Sequence, residues 1–424
     1  MSGLRDPRHR RGDSFDVVVV GAGVVGATAA LALARDGWRV ALVESREPPP
    51  WRADAPDLRV YAFAPDNAAL LDDLGVWASI RDARVQPYRA MRVWDAAGGG
   101  ELVFDADRLA RRELGWIVEH GLLVDRLWRT LPAAGVHLHC PARVVGLQQD
   151  DDGVTLDIQQ VSSTPEPPAP EAAVTRSLRA RLVIAADGAE SQLRALAGVE
   201  VSTHDYRQRG LVAFIEHELP HQATCWQRFL PGGPLAFLPF ADTAQSNASP
   251  AGGISSIVWT LPEDEAARML AIDDAAFLAE LERAFDGPLG ALQSVSRRAA
   301  FPLRRQLVRS HTAGRVAFVG DAAHVVHPLA GQGVNLGLRD VATLRTRLSG
   351  AAREGADAGA PGRLQRWARQ SRSDNALAAH AFHGLNALFS NDALWPTLVR
   401  GPLLGMAGGL PPLVLALWRR AAGL

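Results

Sequence analysis

FDVVVVGAGVVGATAALALARDGWRVALVES, residues 15–45, runs from four consecutive valines through a glycine-rich turn into an alanine- and leucine-rich stretch and a second apolar run. An unbroken β-branched run suits a strand buried on both faces, and the apolar positions that follow recur at helical spacing. Strand, tight turn, helix, strand is a βαβ unit, which commits this part of the chain to a parallel sheet. Gly21, Gly23 and Gly26 form G-x-G-x-x-G directly after the first strand and at the helix start, and Glu44 closes the second strand. Glycines there permit the turn, the approach of a pyrophosphate and close packing of helix on sheet, while an acid at the next strand end can accept from ribose hydroxyls. The stretch predicts a dinucleotide at the edge of an α/β domain.

Two further strand ends have the same character. ARLVIAADGAESQLRALAG (180–198) reads strand, Asp-Gly turn, helix start, with Asp187, Gly188 and Arg194 at the turn. RVAFV (315–319) reads as a short buried strand and stops at Gly320, so that Asp321 stands at its carboxyl end in GDAAHVVHPLAGQGVNLGLRD (320–340). Gly331 and Gly333 let the backbone approach a partner, and helical spacing resumes over NLGLRDVATLRTRL (335–348). A helix that begins at Asn335 directs unsatisfied N–H groups at an anion or a polarised carbonyl. Open α/β sheets bind ligands at the carboxyl ends of their strands. A nicotinamide enzyme needs only the first of these turns. A second carboxylate placed for a polyol, and a helix end placed for a ring carbonyl, fit a larger cofactor with a ribityl chain, FAD.

The rest of the chain is consistent with a soluble enzyme of two or three packed units. Its 424 residues are 47% hydrophobic and 21% charged, with a net charge of −1, so no basic field argues for nucleic acid. All 45 basic residues are arginine, which removes P-loop phosphate binding and lysine Schiff-base chemistry. Cys140 and Cys225 are too few for a disulfide framework or a thiolate metal cluster, no metal site is expected, and no secretory segment follows Met1, which makes the cytoplasm the expected compartment. Residues 1–14 read as a solvated start. The discontinuous FAD-binding domain is expected over 15–85, 115–199 and 300–345, with helical spacing across 116–135. An antiparallel-sheet substrate domain is expected over 86–114 and 200–299, and C-terminal helices over 346–424. VSSTPEPPAPEAAVTRS (161–177) and the polar stretch beginning at Ala241 read as loops. The fold class is thus α/β, a Rossmann-like FAD-binding domain interleaved with a substrate sheet. LVLALWRRAAGL (413–424) suits either a membrane surface or packing against the body.

These segments carry a family resemblance over nearly the whole chain. GAGVVG with Glu44, DLRVYAFAPDNAALLDDLGVW (57–77), ADGAESQLR (186–194), YRQ (206–208) with QRFLPGGPLAFLPF (227–240), and above all HPLAGQGVNLGLRD (327–340) resemble the ubiquinone-biosynthesis hydroxylases among the para-hydroxybenzoate hydroxylase-like flavoprotein monooxygenases. The resemblance implies that Gly21, Gly23, Gly26 and Glu44 bind the ADP part of FAD, and that Arg59 lies near the pyrophosphate. It implies that Asp187, Gly188 and Arg194 belong to a motif touching both FAD and NAD(P)H, and that Gly320, Asp321, Pro328, Gly331, Gly333 and Asn335 line the isoalloxazine side. The chain departs from the family at His120 and Gly121, where Asn and Arg are usual, and at Asn67, where serine is frequent; no site residue is taken from that helix.

By the same resemblance, NADH or NADPH reduces the flavin, a C4a-hydroperoxide forms with O₂, and its distal oxygen is delivered to a polyprenyl-phenol of ubiquinone biosynthesis. Candidates for orienting or deprotonating the phenol are His327, Gln332 and Tyr206, with His324 beside them, although a histidine next to a glycine-rich turn often has a structural task. Trp226, Phe229, Phe237, Leu238 and Phe240 are candidates for an apolar substrate cavity or for plain strand core. Peripheral contact with the inner membrane surface, a homo-oligomer, or membership of a quinone-synthesis complex would suit such a substrate. The alternatives are hydroxylation of a soluble aromatic or polyketide, flavin-dependent reduction of an isoprenoid chain, and a flavin-binding subunit that has lost catalysis.

Overall fold

The computed structural model describes residues 13–96, 98, 100–161, 175–241, 252–326, 333–349, 352, 354–372, 415–416, 418–419 and 422–423. Strand Ser14–Val20 is the middle of a parallel sheet, and its valines are buried on both faces. It pairs in parallel with Val40–Val43 on one side and Thr175–Ala185 on the other. Thr175–Ala185 pairs in turn with Val316–Phe318, and His137–His139 extends the sheet beyond Val40–Val43. All four strands that bear the motifs therefore end at one edge. Helix Val24–Arg35 is buried nearly all round because its small residues lie against the sheet while helices His120–Thr130 and Gly333–Leu348 cover its other side.

The second large sheet is built on the long strand Val201–His217, flanked antiparallel by Gly253–Pro262 and Ala299–Val308. Gly233–Phe240 and Thr224–Leu230 continue it, and Ala90–Asp95 and Glu101–Asp105 complete that side. Helices Glu263–Ala271 and Asp274–Phe285 cover one face. Phe277, Leu281 and Phe285 pack there against Leu211, Ile215, Phe237, Trp226 and Trp259. Because strand side chains alternate, Leu238 and Phe240 point the opposite way and meet Ala62 and Ile117 of the neighbouring domain. Trp226 and Phe237 are thus helix-covered core, and Leu238 and Phe240 belong to the face turned toward the parallel sheet.

Several expected boundaries move. Ala299–Val308 pairs antiparallel with Val201–His217 and so belongs to the substrate sheet, a pairing made between segments far apart in the chain that no local pattern states. Gln86–Tyr88 and Val60–Phe63 flank Gly115–Glu119 in a separate three-stranded sheet. The helical spacing expected over 116–135 is correct only for His120–Thr130. Ile117 and Val118 are buried between two strands, and Glu119 is extended at the N-cap. Residues 162–174 and 242–251, within the two expected loops, lie outside the described residues. Near the C-terminus Trp418 and Ala422 pack into the cluster of Leu238 and Phe240, and the Arg111 guanidinium lies 5.3 Å from the Trp418 ring centre. Trp418 is therefore part of the body. Among the described residues no helix is long and apolar enough to cross a membrane.

Candidate active site at the carboxyl edge of the parallel sheet

Three turns meet where the parallel strands end. Gly21 adopts φ +99°, and a Cβ there would overlap the Ala186 carbonyl oxygen, so the first turn and the Asp187 turn are in backbone contact. A Cβ at Gly26 would overlap the Gly21 carbonyl. At Gly23 and Gly188 it would meet nothing within 4 Å, which leaves open space above both turns. Gly320, at φ +57°, rests on Val25 of the first helix and brings the third turn alongside. Helix Val24–Arg35 has no side-chain cap at Gly23, so its first-turn amides face the open space. The Glu44 carboxylate is held against the first turn, accepting from the Ala22 N–H at 2.6 Å and from the Ser45 hydroxyl at 2.9 Å.

Charged and polar groups line the continuation of this edge. Asp187 accepts from the Leu193 N–H at 3.0 Å through Oδ2, while its Oδ1 is buried without a partner. Asp321 accepts no hydrogen bond among the described residues, and it lies close enough to Tyr61 and His324 to raise the pKa of each. The Arg59 guanidinium is exposed and stands 5.4 Å from the Tyr61 ring centre. The Tyr61 hydroxyl is 2.9 Å from His120 Nδ1.

Three buried contacts fix the third turn and its helix. His324 Nε2 bonds Asp340 at 2.6 Å, and the same carboxylate oxygen accepts from the Gly320 N–H at 3.1 Å. Burial pushes the His324 imidazolium down, but the Asp340 charge and hydrogen bond outweigh it, so the pKa is raised overall. Asn335 accepts from the Ala64 N–H and from Asn67 Nδ2, both at 2.9 Å, and donates to the Ala62 carbonyl at 2.8 Å. Arg194 donates to the carbonyls of Ala322 at 3.1 Å and Ala189 at 2.7 Å, joining the second turn to the third.

Such an edge takes a long, polar, partly anionic ligand, and comparison with known proteins identifies it. Residues 14–371 match a family described as FAD binding domain. The chain is 38% identical to ubiquinone hydroxylase UbiL of Rhodospirillum rubrum over 413 residues, which span 96% of this chain and 89% of that protein. It is 34% identical to 3-demethoxyubiquinol 3-hydroxylase of Escherichia coli, spanning 89% of this chain and 90% of that protein. The chain belongs to the FAD-binding hydroxylase family. In fold it is similar to p-nitrophenol 4-monooxygenase PnpA of Pseudomonas putida DLL-E4, with a TM-score of 0.74 at 21% identity over 97% of this chain and 99% of that one.

This FAD-dependent monooxygenase has an edge that fits its cofactor. Open space over Gly23 and Gly188, the orphaned Asp187 Oδ1 and the Asp321 carboxylate, which accepts no hydrogen bond among the described residues, are what a dinucleotide with a polyol chain would fill and satisfy. Gly21, Gly23, Gly26, Glu44, Asp187, Gly188, Gly320 and Asp321 come together there. Arg194 and Asn335 turn their side chains into the protein, onto carbonyls and amides, and so act on the edge by holding its turns. Gly333 begins the Gly333–Leu348 helix, whereas His327, Pro328, Gly331 and Gln332 lie outside the described residues. Tyr206 is half-buried in a bulge of Val201–His217, beside Arg207 at φ +52°, with the His204 ring 4.9 Å from its own. Burial raises its pKa and Arg305 opposes the shift. Sequence reasoning missed Tyr61, His120, Asn67 and Asp340 as site groups. Asp340 and Tyr61 stood inside quoted motifs and His120 was noted as a departure from the family, but the contact of Tyr61 with His120 joins positions 59 residues apart, which no local pattern reveals.

Proposed function

We propose that this flavoprotein hydroxylates the ring of a polyprenyl-phenol on the route to ubiquinone, with NADH or NADPH as reductant and O₂ as the oxygen source. The supporting observation is the near-full-length similarity to two enzymes named as hydroxylases of ubiquinone and demethoxyubiquinol, which spans cofactor edge and substrate sheet together. In this reading the turn at Gly21, Gly23 and Gly26 and the first-turn amides of Val24–Arg35 hold the pyrophosphate, helped by Arg59. Glu44 accepts from the ribose, Asp187 and Gly188 form the floor, and Asp321 accepts from ribityl hydroxyls. The first-turn amides of the Gly333–Leu348 helix stabilise negative charge on the ring, with Pro328 and Gly331 beside it and Asn335 holding the helix in its seat. Bound FAD supplies electron transfer from NAD(P)H and the activation of O₂. The chain's own part is to bring the phenol close and keep water out, for which the face bearing Leu238 and Phe240 is suited. Tyr206, its pKa raised by burial, stays protonated at neutral pH and orients the phenol as a donor; His327 and Gln332 are the other groups assigned to the phenol.

A cytoplasmic enzyme that meets its lipid-tailed substrate at the inner membrane surface, as a homo-oligomer or within a quinone-synthesis complex, belongs to the same proposal. The test is the quinone pool of a deletion strain read by mass spectrometry. An accumulated prenylated precursor lacking one ring hydroxyl is expected, and complementation by the Asp321→Asn variant should fail. An unchanged quinone pool would exclude this substrate. Failure of FAD-loaded protein to oxidise NAD(P)H in air would instead point to a non-catalytic subunit.

A further inference from the structure

Strand Gly253–Pro262 carries two adjacent serines with opposite surroundings. Ser255 and Ser256 are 0% and 1% exposed, and the alternation of the strand sends them to opposite faces of the substrate sheet. On the helix-covered face the Ser255 hydroxyl is 3.0 Å from His217 Nε2, and His217 Nδ1 is 2.7 Å from the Leu219 carbonyl oxygen, so that side is satisfied. On the other face Ser256 Oγ has no hydrogen-bond partner among the described residues. Its register sets it between Phe214 and Leu238, with Ile254 and Val258 two residues away along its own strand. All four side chains belong to the cluster that includes Ala62 and Ile117 of the flavin domain. The Ala62 carbonyl accepts from Asn335, at 2.8 Å, in the first turn of the Gly333–Leu348 helix. Ser256 therefore stands on the part of the sheet that adjoins the helix end assigned to the flavin ring.

A buried hydroxyl without a partner is costly, and protein interiors keep few of them. The backbone on either side of Ser256 is committed to the ladders with Val201–His217 and Gly233–Phe240, and the four neighbouring side chains are apolar. A water molecule there would find one polar partner, fewer than the two to four that an ordered buried water takes. The group that fits must bring an oxygen on an apolar body. An aromatic ring with an oxygen substituent does so. Its body packs against Leu238 and against the Phe214 and Phe240 rings, whose centres are 4.5 Å apart, and its oxygen accepts the serine proton.

We propose that Ser256 is a substrate-binding residue that selects an oxygen-bearing ring, its hydroxyl donating to a ring oxygen of the substrate. The assignment rests on the reading of that substrate as a prenylated phenol. Ser256→Ala removes the hydroxyl and leaves the strand and its apolar neighbours in place. Oxidised, FAD-loaded protein is titrated with an ortho-farnesylated phenol and with farnesylbenzene, the same body without the oxygen, and binding is followed by the change in flavin absorption. The phenol should bind about tenfold more weakly to Ser256→Ala than to the unmodified chain, while farnesylbenzene binds the two proteins within about threefold of each other. The Tm of Ser256→Ala should be no lower than that of the unmodified chain, because the variant loses only an unsatisfied group. A serine with a purely structural task would instead lower the Tm and weaken both ligands together. Equal affinity of the two proteins for the phenol, or an equal loss for phenol and hydrocarbon, overturns the assignment. The unmodified chain gives a second reading that depends on no variant: it should prefer the phenol to farnesylbenzene by about tenfold or more, and an absent preference refutes the assignment. Should FAD-loaded protein oxidise NAD(P)H and yet bind neither ligand, the prenyl-phenol reading itself falls, and the assignment with it.

Discussion

At Gly26 one methyl group decides whether the nucleotide turn can close. A Cβ there would overlap the Gly21 carbonyl, and backbone cannot swing aside as a side chain can. Gly26→Ala is expected to cost roughly 2–3 kcal/mol of stability, as overpacking does, and to weaken FAD binding at least about tenfold, measured by urea unfolding and by flavin content after purification. At His324 the sign of a pH effect follows from its partner. The raised pKa means that the ion pair with Asp340 contributes its full stability below the ordinary histidine value of 6.5 and loses it as pH rises through the folded value. His324→Gln keeps a donor for Asp340 without the charge. The Tm difference between the unmodified chain and His324→Gln should therefore be widest near about pH 5 and shrink toward about pH 9. A gap that widens with pH would show that His324 is held neutral. Gly26 was legible in the sequence because the motif states a backbone requirement. Asp340 was not singled out, since pairing a buried acid with His324 needs the helix and the turn to be in place.

Among the elements, the Gly333–Leu348 helix depends on Asn335 for its seat. One fully buried side chain bonds Ala62, Ala64 and Asn67, joining the helix to strand Val60–Phe63 and helix Pro65–Asp73. Asn335→Leu would leave these groups unsatisfied in the interior. A loss of about 2–4 kcal/mol is expected from the chemical denaturation midpoint, together with loss of FAD, because the helix end assigned to the flavin ring would shift. The Asn67 departure from the family thus has a partner here. Element type was legible wherever period and flanking turns agreed, as in Ser14–Val20 and Val24–Arg35. It failed over 116–119, where four residues of strand precede the helix directly and a helical periodicity can be extended backward across them.

On the scale of the whole molecule, Trp418 tests how the end of the chain is used. It is buried with Ala422 against the face of Leu238 and Phe240, and Arg111 lies over its ring. Trp418→Ala should cost roughly 3 kcal/mol or more, as removal of a core tryptophan does, seen as a lowered Tm in FAD-loaded protein. An unchanged Tm would mean that this contact does not persist in solution and that the ring is free for a membrane surface. The sequence by itself determined the parallel sheet, the three ligand-bearing strand ends and the FAD-type cofactor, because each depends on residues within one short segment whose backbone geometry and polarity are local properties. Only the tertiary structure decided that Ala299–Val308 joins the substrate sheet, that Phe237 is core while Leu238 and Phe240 face the flavin domain, and that Tyr61 meets His120. Those outcomes depend on which strand pairs with which and on which face is covered, and such choices are made by contacts between residues far apart in the chain.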